Sequence, residues 1–410
     1  MVGNSKKHII RKMRVFMFVY WAMMLSVTGM YTMYLGDIGF TKGEIGIAVT
    51  IYMVSALIGQ NVFGYLADKT GNIKKVFTLS TATGILIATL LAFAKSSIQI
   101  YVLIFLWGFF ICGTVPLSDV WCINSLKASN ELNDYGKIRG FGSIGYGISG
   151  VLLGLTLQFF GWKAYYWYIA ACVCLTLLAI FAIGDKEEKA GIKGTKDNKR
   201  TSKEVSAIDA LKEIIKIKPL VSMVILIFIY SFVVKGIYNY LGVLIGDYGG
   251  GPLNLGFTYF FDASPEIVTF FLTTRLLRRF HSKKLVFVAF LLQTLRLTFI
   301  LIFNSALAVT LLGTLSGFAY GLLSSSYKTY LYELAPEKYK ASCMSLCETT
   351  IGMSAVFSAP VFGFLFDKFG ANFTITFGLV IYIISVIMLL WNFRMDRKAN
   401  VMNTETALRQ

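Results

Sequence analysis

The sequence predicts an all-α membrane protein whose twelve transmembrane helices form two pseudo-symmetric six-helix bundles. Three observations carry that expectation. Hydrophobic residues make up 56% of the 410 residues and charged residues only 15%, against about 25% charge in a soluble domain. Apolar stretches long enough to cross a hydrocarbon core, roughly 20 residues each, recur along nearly the whole chain. One long polar break divides them into two sets of six. Inside lipid every backbone N–H and C=O must be satisfied internally, so repeated apolar stretches of this length are helices.

Taken in order, the spans are expected over 14–36, 43–67, 74–95, 98–126, 136–160 and 164–184, then 219–245, 253–275, 284–303, 306–334, 341–366 and 372–393. The basic start, Lys6 to Arg14, precedes an apolar stretch too long for a signal peptide, so it opens the first span. The polar break runs from Asp185 to about Lys218 and is charge-rich and free of aromatic residues. Such a segment cannot bury an apolar face and reads as a linker. Its end, AIDALKEIIKI (207–217), has the pattern of an amphipathic surface helix. The expected organisation is therefore an N-terminal six-helix bundle (1–184), a cytoplasmic linker (185–218), and a C-terminal six-helix bundle with a short cytoplasmic tail (219–410).

The formal charge of +17 points to topology rather than to nucleic acid. About 32 of the 39 Lys and Arg fall in the tails and in every second loop. Lys42, Lys95, Lys163 and Lys368 fall in the opposite loops, and Lys235, Arg296 and Lys328 lie within apolar segments. This bias orients the chain with both termini in the cytoplasm, as a multi-pass protein of the plasma (inner) membrane. All six cysteines lie in or near apolar segments, where they read as small packing residues rather than as a disulfide or metal set.

A charge at the centre of a span costs about 2.5–3.5 kcal/mol on insertion scales, so such residues usually face a polar interior and mark a pathway. The deepest candidates are Asp119, Lys235, Asp262, Glu266, Arg296 and Lys328, with Arg139 and Glu348 nearer helix ends. In span eight, Thr258, Asp262, Glu266, Thr269 and Thr273 recur at three- and four-residue steps and form one polar stripe. Span ten repeats the device with Ser316, Tyr320, Ser324 and Lys328; span seven gives Ser231, Lys235, Tyr238 and Gly242, with Asn239 adjacent. Pro265 beside Glu266 and Pro116 one turn before Asp119 each remove a helical hydrogen bond, so bends are expected there. As a purely structural device, one buried ion pair would suffice to fix register, and buried pairs are weak stabilisers. The set as a whole therefore points to a polar cavity between the two halves.

The loop after span two, GYLADKTGNIKKV (64–76), resembles the signature G-x-L-A-D-[RK]-x-G-[RK]-[RK] of the major facilitator superfamily. Gly64, Asp68, Lys69, Gly71, Lys74 and Lys75 match, with one extra residue before the basic pair. The equivalent loop of the second half, RLLRRFHSKKL (275–285), keeps the basic residues but not the Gly and Asp pattern. A narrower match, VPLSDVW (115–121) followed by YGKIRGFGSIGYG (135–147), resembles the lactose-permease and phenylpropionate-permease branch, which pairs a carboxylate on span four with an arginine on span five. The resemblance implies that Asp119 and Arg139 form that pair, that Arg296 stands at the proton-coupling arginine of span nine, and that PEIVTFF (265–271) matches a span-eight Glu motif. Tyr146 stands where the lactose permeases have a sugar-stacking Trp. The only histidines, His8 and His281, lie in expected cytoplasmic segments, so no buried histidine relay is expected.

These readings give the expected site. Substrate-binding candidates are Asp119, Arg139, Tyr146, Lys235, Tyr238, Asn239 and Lys328; proton-coupling candidates are Asp119, Asp262, Glu266 and Arg296; the loop motif is conformational. No Walker motif, metal cluster or catalytic constellation is visible, so neither enzyme activity nor a cofactor is expected, and an ion gradient is the expected energy source. The expected function is a proton-coupled symporter, a monomer in lipid, importing a small polar solute. Sugars or oligosaccharides are favoured over nucleosides and aromatic carboxylates. A drug or metabolite exporter is the main alternative, and a non-transporting sensor a lesser one.

Overall fold

The protein, seen in a computed structural model, is described over residues 2–128, 134–183, 215–335 and 340–408. The expected linker and its amphipathic end lie outside the described residues, apart from 215–218.

Span one comprises α1 (Val2–Thr28) and α2 (Tyr31–Asp37). Spans two and three are α3 (Lys42–Thr70) and α4 (Ile73–Phe93). Span four is α5 (Ser97–Phe110), a 3-10 turn (Cys112–Thr114) and α6 (Val115–Ala128). Spans five and six are α7 (Tyr135–Phe160) and α8 (Lys163–Ala182). In the second half, α9 (Lys218–Asn239) and α10 (Leu241–Asp247) make span seven, followed by α11 (Pro252–Arg279) and α12 (Ser282–Phe303) as spans eight and nine. Span ten is α13 (Ala306–Leu311) with α14 (Gly313–Leu334), and α15 (Lys340–Leu408) carries spans eleven and twelve. Gly370 alone leaves helical geometry inside α15, at φ 77° and ψ −177°, a region open to glycine, and it divides the two spans.

Ten of the described helical stretches are long and apolar enough to cross a membrane, with the last two spans run together. Span eight, which carries the polar stripe, is not among those ten. Its charges are held inside the bundle rather than facing lipid. Lipid-facing positions are instead large and apolar, such as Phe93, Phe159, Leu178, Phe303 and Ile387, all exposed in the protein alone.

Spans one, four, seven and ten are each interrupted, and the other spans of each half are not. A break in every third helix is the mark of three-helix repeats nested within six-helix halves. Local chemistry accounts for the break in span four: Pro116 has no N–H for the carbonyl of Cys112, and the Thr114 hydroxyl donates to the carbonyl of Ile111 at 2.8 Å. At Pro265, by contrast, α11 runs on without a break. In span one the Thr28 hydroxyl turns back onto the carbonyl of Met24 at 2.8 Å, just before the chain bends at Gly29.

The loop motif is a compact helix-to-helix turn. Gly71 ends α3 in the left-handed region, at φ 61°. Asn72 caps α4, its side chain accepting from the backbone N–H of Lys75 at 2.8 Å. The Lys74 ammonium donates to the carbonyl of Ile183 at 2.6 Å, tying the loop to the end of span six. Lys69 lies over the ring of Tyr65 at 5.9 Å. Of the two motif glycines, Gly71 has a conformational reason, whereas a side chain at Gly64 would meet open space.

The halves meet through spans two with eleven and five with eight, at the midplane and towards the face opposite the termini. The backbones of Gly150 and Gly256 approach so closely that neither has room for a side chain. Gly46 and Gly363 make a second close approach beside the hydroxyl of Tyr240. At that face the Lys42 ammonium pairs with Asp247 at 2.6 Å, and the backbone N–H of Gly43 donates to Asp367 at 3.2 Å.

Candidate functional site

Below these contacts the halves part around a cavity of about 360 Å³, within the range of about 300–1,000 Å³ usual for small-molecule sites. Spans five, seven, eight and ten supply most of its wall. On the side of the termini Lys328 and Glu348 pair at 2.8 Å, with side chains 46% and 56% exposed.

The roof is aromatic. The hydroxyls of Tyr146 on span five and Tyr238 on span seven meet at 3.0 Å, joining the halves. Tyr259 packs edge-on against both rings at 5.8 and 5.7 Å, and its hydroxyl donates to the carbonyl of Gly29 at 2.8 Å. That carbonyl lies where span one breaks, so the second half supplies the hydrogen bond that the interrupted helix lacks.

On the first-half side, Asp119 and Arg139 come together as an ion pair at 3.7 Å. Arg139 lines the cavity, and its guanidinium lies over the ring of Trp21 at 4.1 Å, a cation–π contact. Asp119 is not among the wall residues. Trp21 also packs against Tyr146 at 6.3 Å. The sequence reading passed over Trp21. Its position in span one, two turns before the break, gave no polar signal to single it out.

On the second-half side, Lys235, Asp262, Glu266 and Lys328 all line the cavity. Asp262 lies within electrostatic range of Arg296 and Lys235, and Glu266 within range of Arg139 across the cavity. One oxygen of Asp262 is buried with no hydrogen-bond partner, and so is Nε of Arg296. Arg296 itself is only 3% exposed and sits one layer behind the wall. There Gln293, 1% exposed, accepts from Arg296 at 3.5 Å and donates to the hydroxyls of Tyr230 at 3.3 Å and Ser316 at 3.5 Å. Gln293 was invisible to charge-based reading because it is neutral; its place three residues before Arg296 was the available signal.

Two of the expected substrate-binding residues, Asp119 and Asn239, are not on the cavity wall. The amide nitrogen of Asn239 is buried without a partner at the break of span seven. Tyr165 is fully buried, while Trp167, two residues on, is 79% exposed. Thr273, the last member of the span-eight stripe, has its side chain outside the described residues. Thr258 and Thr269 are buried against span ten rather than in the cavity, and the Thr258 hydroxyl meets that of Thr310 at 3.3 Å.

The arrangement places charged groups and aromatic hydroxyls around one cavity between the two halves. Three wall bases, Arg139, Lys235 and Lys328, stand against three wall acids, Asp262, Glu266 and Glu348. Comparison with known proteins agrees. A maltose permease of Geobacillus stearothermophilus is 22% identical over 356 residues, covering 87% of each chain. The crystal structure of the nucleoside transporter NupG superposes with a TM-score of 0.75 at 14% identity, over 94% of this chain and 98% of that one. The peptide transporter PepTSo, of the POT family, superposes with a TM-score of 0.68 at 12% identity, over 96% and 98%. The model of the MFS_1 like family matches residues 10–377, so the chain belongs to that family and is an integral, multi-pass transporter of the major facilitator superfamily rather than an enzyme.

Proposed function

We propose that the chain is a proton-coupled symporter that imports a neutral, hydroxyl-rich solute, a sugar or short oligosaccharide. One observation carries this reading: a charge-balanced cavity between the halves, walled by hydroxyl-bearing aromatics and by two acids, Asp262 and Glu266, that close no salt bridge among the described residues. A balanced wall suits a neutral solute better than an anion, because an added charge would be left uncompensated in low dielectric. The 22% identical maltose permease supports the sugar reading. The ring-rich roof also suits a nucleoside, which makes that class the second reading.

The boundaries 1–184, 185–218 and 219–410 are part of this proposal, as is the orientation. With the termini in the cytoplasm, the Lys42–Asp247 face is extracellular and the cavity is open inward. Asp119 and Arg139 hold the first-half side of the site. Glu266 carries the coupled proton: it lines the cavity together with Arg139 of the opposite half. One charge moved across 100 mV is worth about 2.3 kcal/mol. At 1.4 kcal/mol per tenfold, that supports accumulation of roughly 40-fold.

The test is uptake by proteoliposomes under an imposed proton gradient, with maltose and uridine as probes. Gradient-dependent accumulation supports the reading. In Glu266→Gln, accumulation is expected to vanish while exchange of internal for external solute persists. Unchanged accumulation in that variant removes Glu266 from the coupling role, and efflux from inside-loaded vesicles against a gradient would replace import by export.

A further inference from the structure

The cavity wall contains charged groups of two kinds. Arg139 is committed to Asp119 and to the ring of Trp21, and Lys328 is committed to Glu348. Lys235 and Asp262 close no salt bridge among the described residues. One carboxylate oxygen of Asp262 is buried with no partner, the carboxylate has the Ser316 hydroxyl beside it, and Lys235 lines the same cavity. They stand on spans seven and eight and line the same cavity without closing into a salt bridge.

An ammonium and a carboxylate that line one cavity without pairing leave hydrogen-bonding capacity open to a guest. A buried polar atom without a partner costs about 1–3 kcal/mol, and closing the pair would recover part of that cost. A ligand that presents a donor and an acceptor at neighbouring atoms satisfies both groups at once. Two hydroxyls on adjacent carbons do this: one donates to the carboxylate, the other accepts from the ammonium. The neighbours fit such a guest. Ser316 lies on the same side of the cavity, and the rings of Tyr146 and Tyr238 form its apolar ceiling.

Building on the proposed function, we infer that Lys235 and Asp262 form a vicinal-diol clamp that selects the solute by a pair of adjacent hydroxyls. Asp262 is then a specificity residue, and Glu266, one turn further along α11, is left for coupling. This divides the two acids that the sequence treated as equivalent.

The experiment is equilibrium binding to purified full-length protein, with maltose and uridine as probes and no gradient. Asp262→Asn and Lys235→Met are each expected to weaken binding by about 10- to 100-fold, the loss of one charge-assisted hydrogen bond. The double variant is expected to bind no better than either single one. If the two residues were only a structural pair, removing both would restore binding, and that result overturns the clamp. A ligand-side arm needs no variant. If uridine binds, 2′-deoxyuridine, which lacks the adjacent hydroxyl pair, is expected to bind at least tenfold more weakly; equal binding overturns the clamp. If maltose binds, 2-deoxyglucose and 3-deoxyglucose are expected to compete less well than glucose, and equal competition by both overturns it. Binding of neither probe refutes the solute class of the proposed function and the clamp with it. Binding that is insensitive to Asp262 and Lys235 refutes the clamp alone.

Discussion

At the scale of single residues, Arg139 does the most. Its guanidinium serves an ion pair on one side and an aromatic face on the other, and both contacts depend on its planar, delocalised charge. Arg139→Lys keeps the charge and loses the plane. We expect its half-saturation concentration for uptake to rise roughly tenfold, about 1.4 kcal/mol, and an unchanged value would show that charge alone suffices. The charges themselves were legible in the sequence, because an ionisable residue within an apolar stretch declares itself. Their partners were not. Arg139 stacks on Trp21, and Arg296 leans on Gln293. Neither partner is charged, so a search for charges within apolar stretches passes over both. Asn239 shows the converse: adjacency to Tyr238 suggested a shared role, but neighbours on a helix point in different directions.

At the scale of elements, two devices close the face opposite the termini, and their magnitudes differ. The Lys42–Asp247 pair is partly exposed, with side chains 32% and 24% accessible. Such pairs are worth roughly 0.2–1 kcal/mol, enough to shift a two-state ratio by no more than about fivefold. Lys42→Glu is expected to raise the alkylation rate of a Gly36→Cys reporter, which lines the vestibule on that face, by up to that factor. Adding Asp247→Lys reverses the pair and is expected to restore the slow rate. A double variant that labels as fast as the single one would show that the pair does not act as a latch. The glycine crossing of spans five and eight is steric and so less negotiable. Gly256→Leu is expected to hold the face open, giving rapid labelling and abolished uptake, because the backbone of Gly150 leaves no room for the side chain. Wild-type labelling in that variant would refute the closure described here. The breaks in spans one, four, seven and ten were only partly readable: Pro116 marked one of them, while Pro265 marked a helix that stays whole. A proline removes one hydrogen bond, but packing on both sides decides whether the helix parts there.

At the scale of the whole molecule, the charge bias makes a prediction about orientation. A Gly249→Cys variant in a cysteine-free background is expected to react with a membrane-impermeant maleimide from outside intact cells. A cysteine at Thr70, beside the motif turn, is expected to react only after permeabilisation; the reverse pattern would invert the topology. Solute binding should also stabilise the fold as one unit. At 100 times the dissociation constant the gain is about 2.7 kcal/mol, read as a rise in the melting temperature of the purified protein. No rise at that concentration would show that the solute does not bind the folded protein selectively.

The sequence by itself determined the number of spans, their order and the residues that cannot be facing lipid. Those properties follow from local composition: apolar length makes a span, and a charge within it must find a polar interior. Only the tertiary structure decided which charges are satisfied and which stand free. Asp119, Asp262 and Glu266 look alike as acids in apolar helices. One is paired with Arg139, one lies unpaired within range of Lys235 and Arg296, and one faces the opposite half across the cavity. That difference arises from where spans four, five, seven, eight and nine bring their side chains, and helix packing sets it through contacts between residues far apart in the chain.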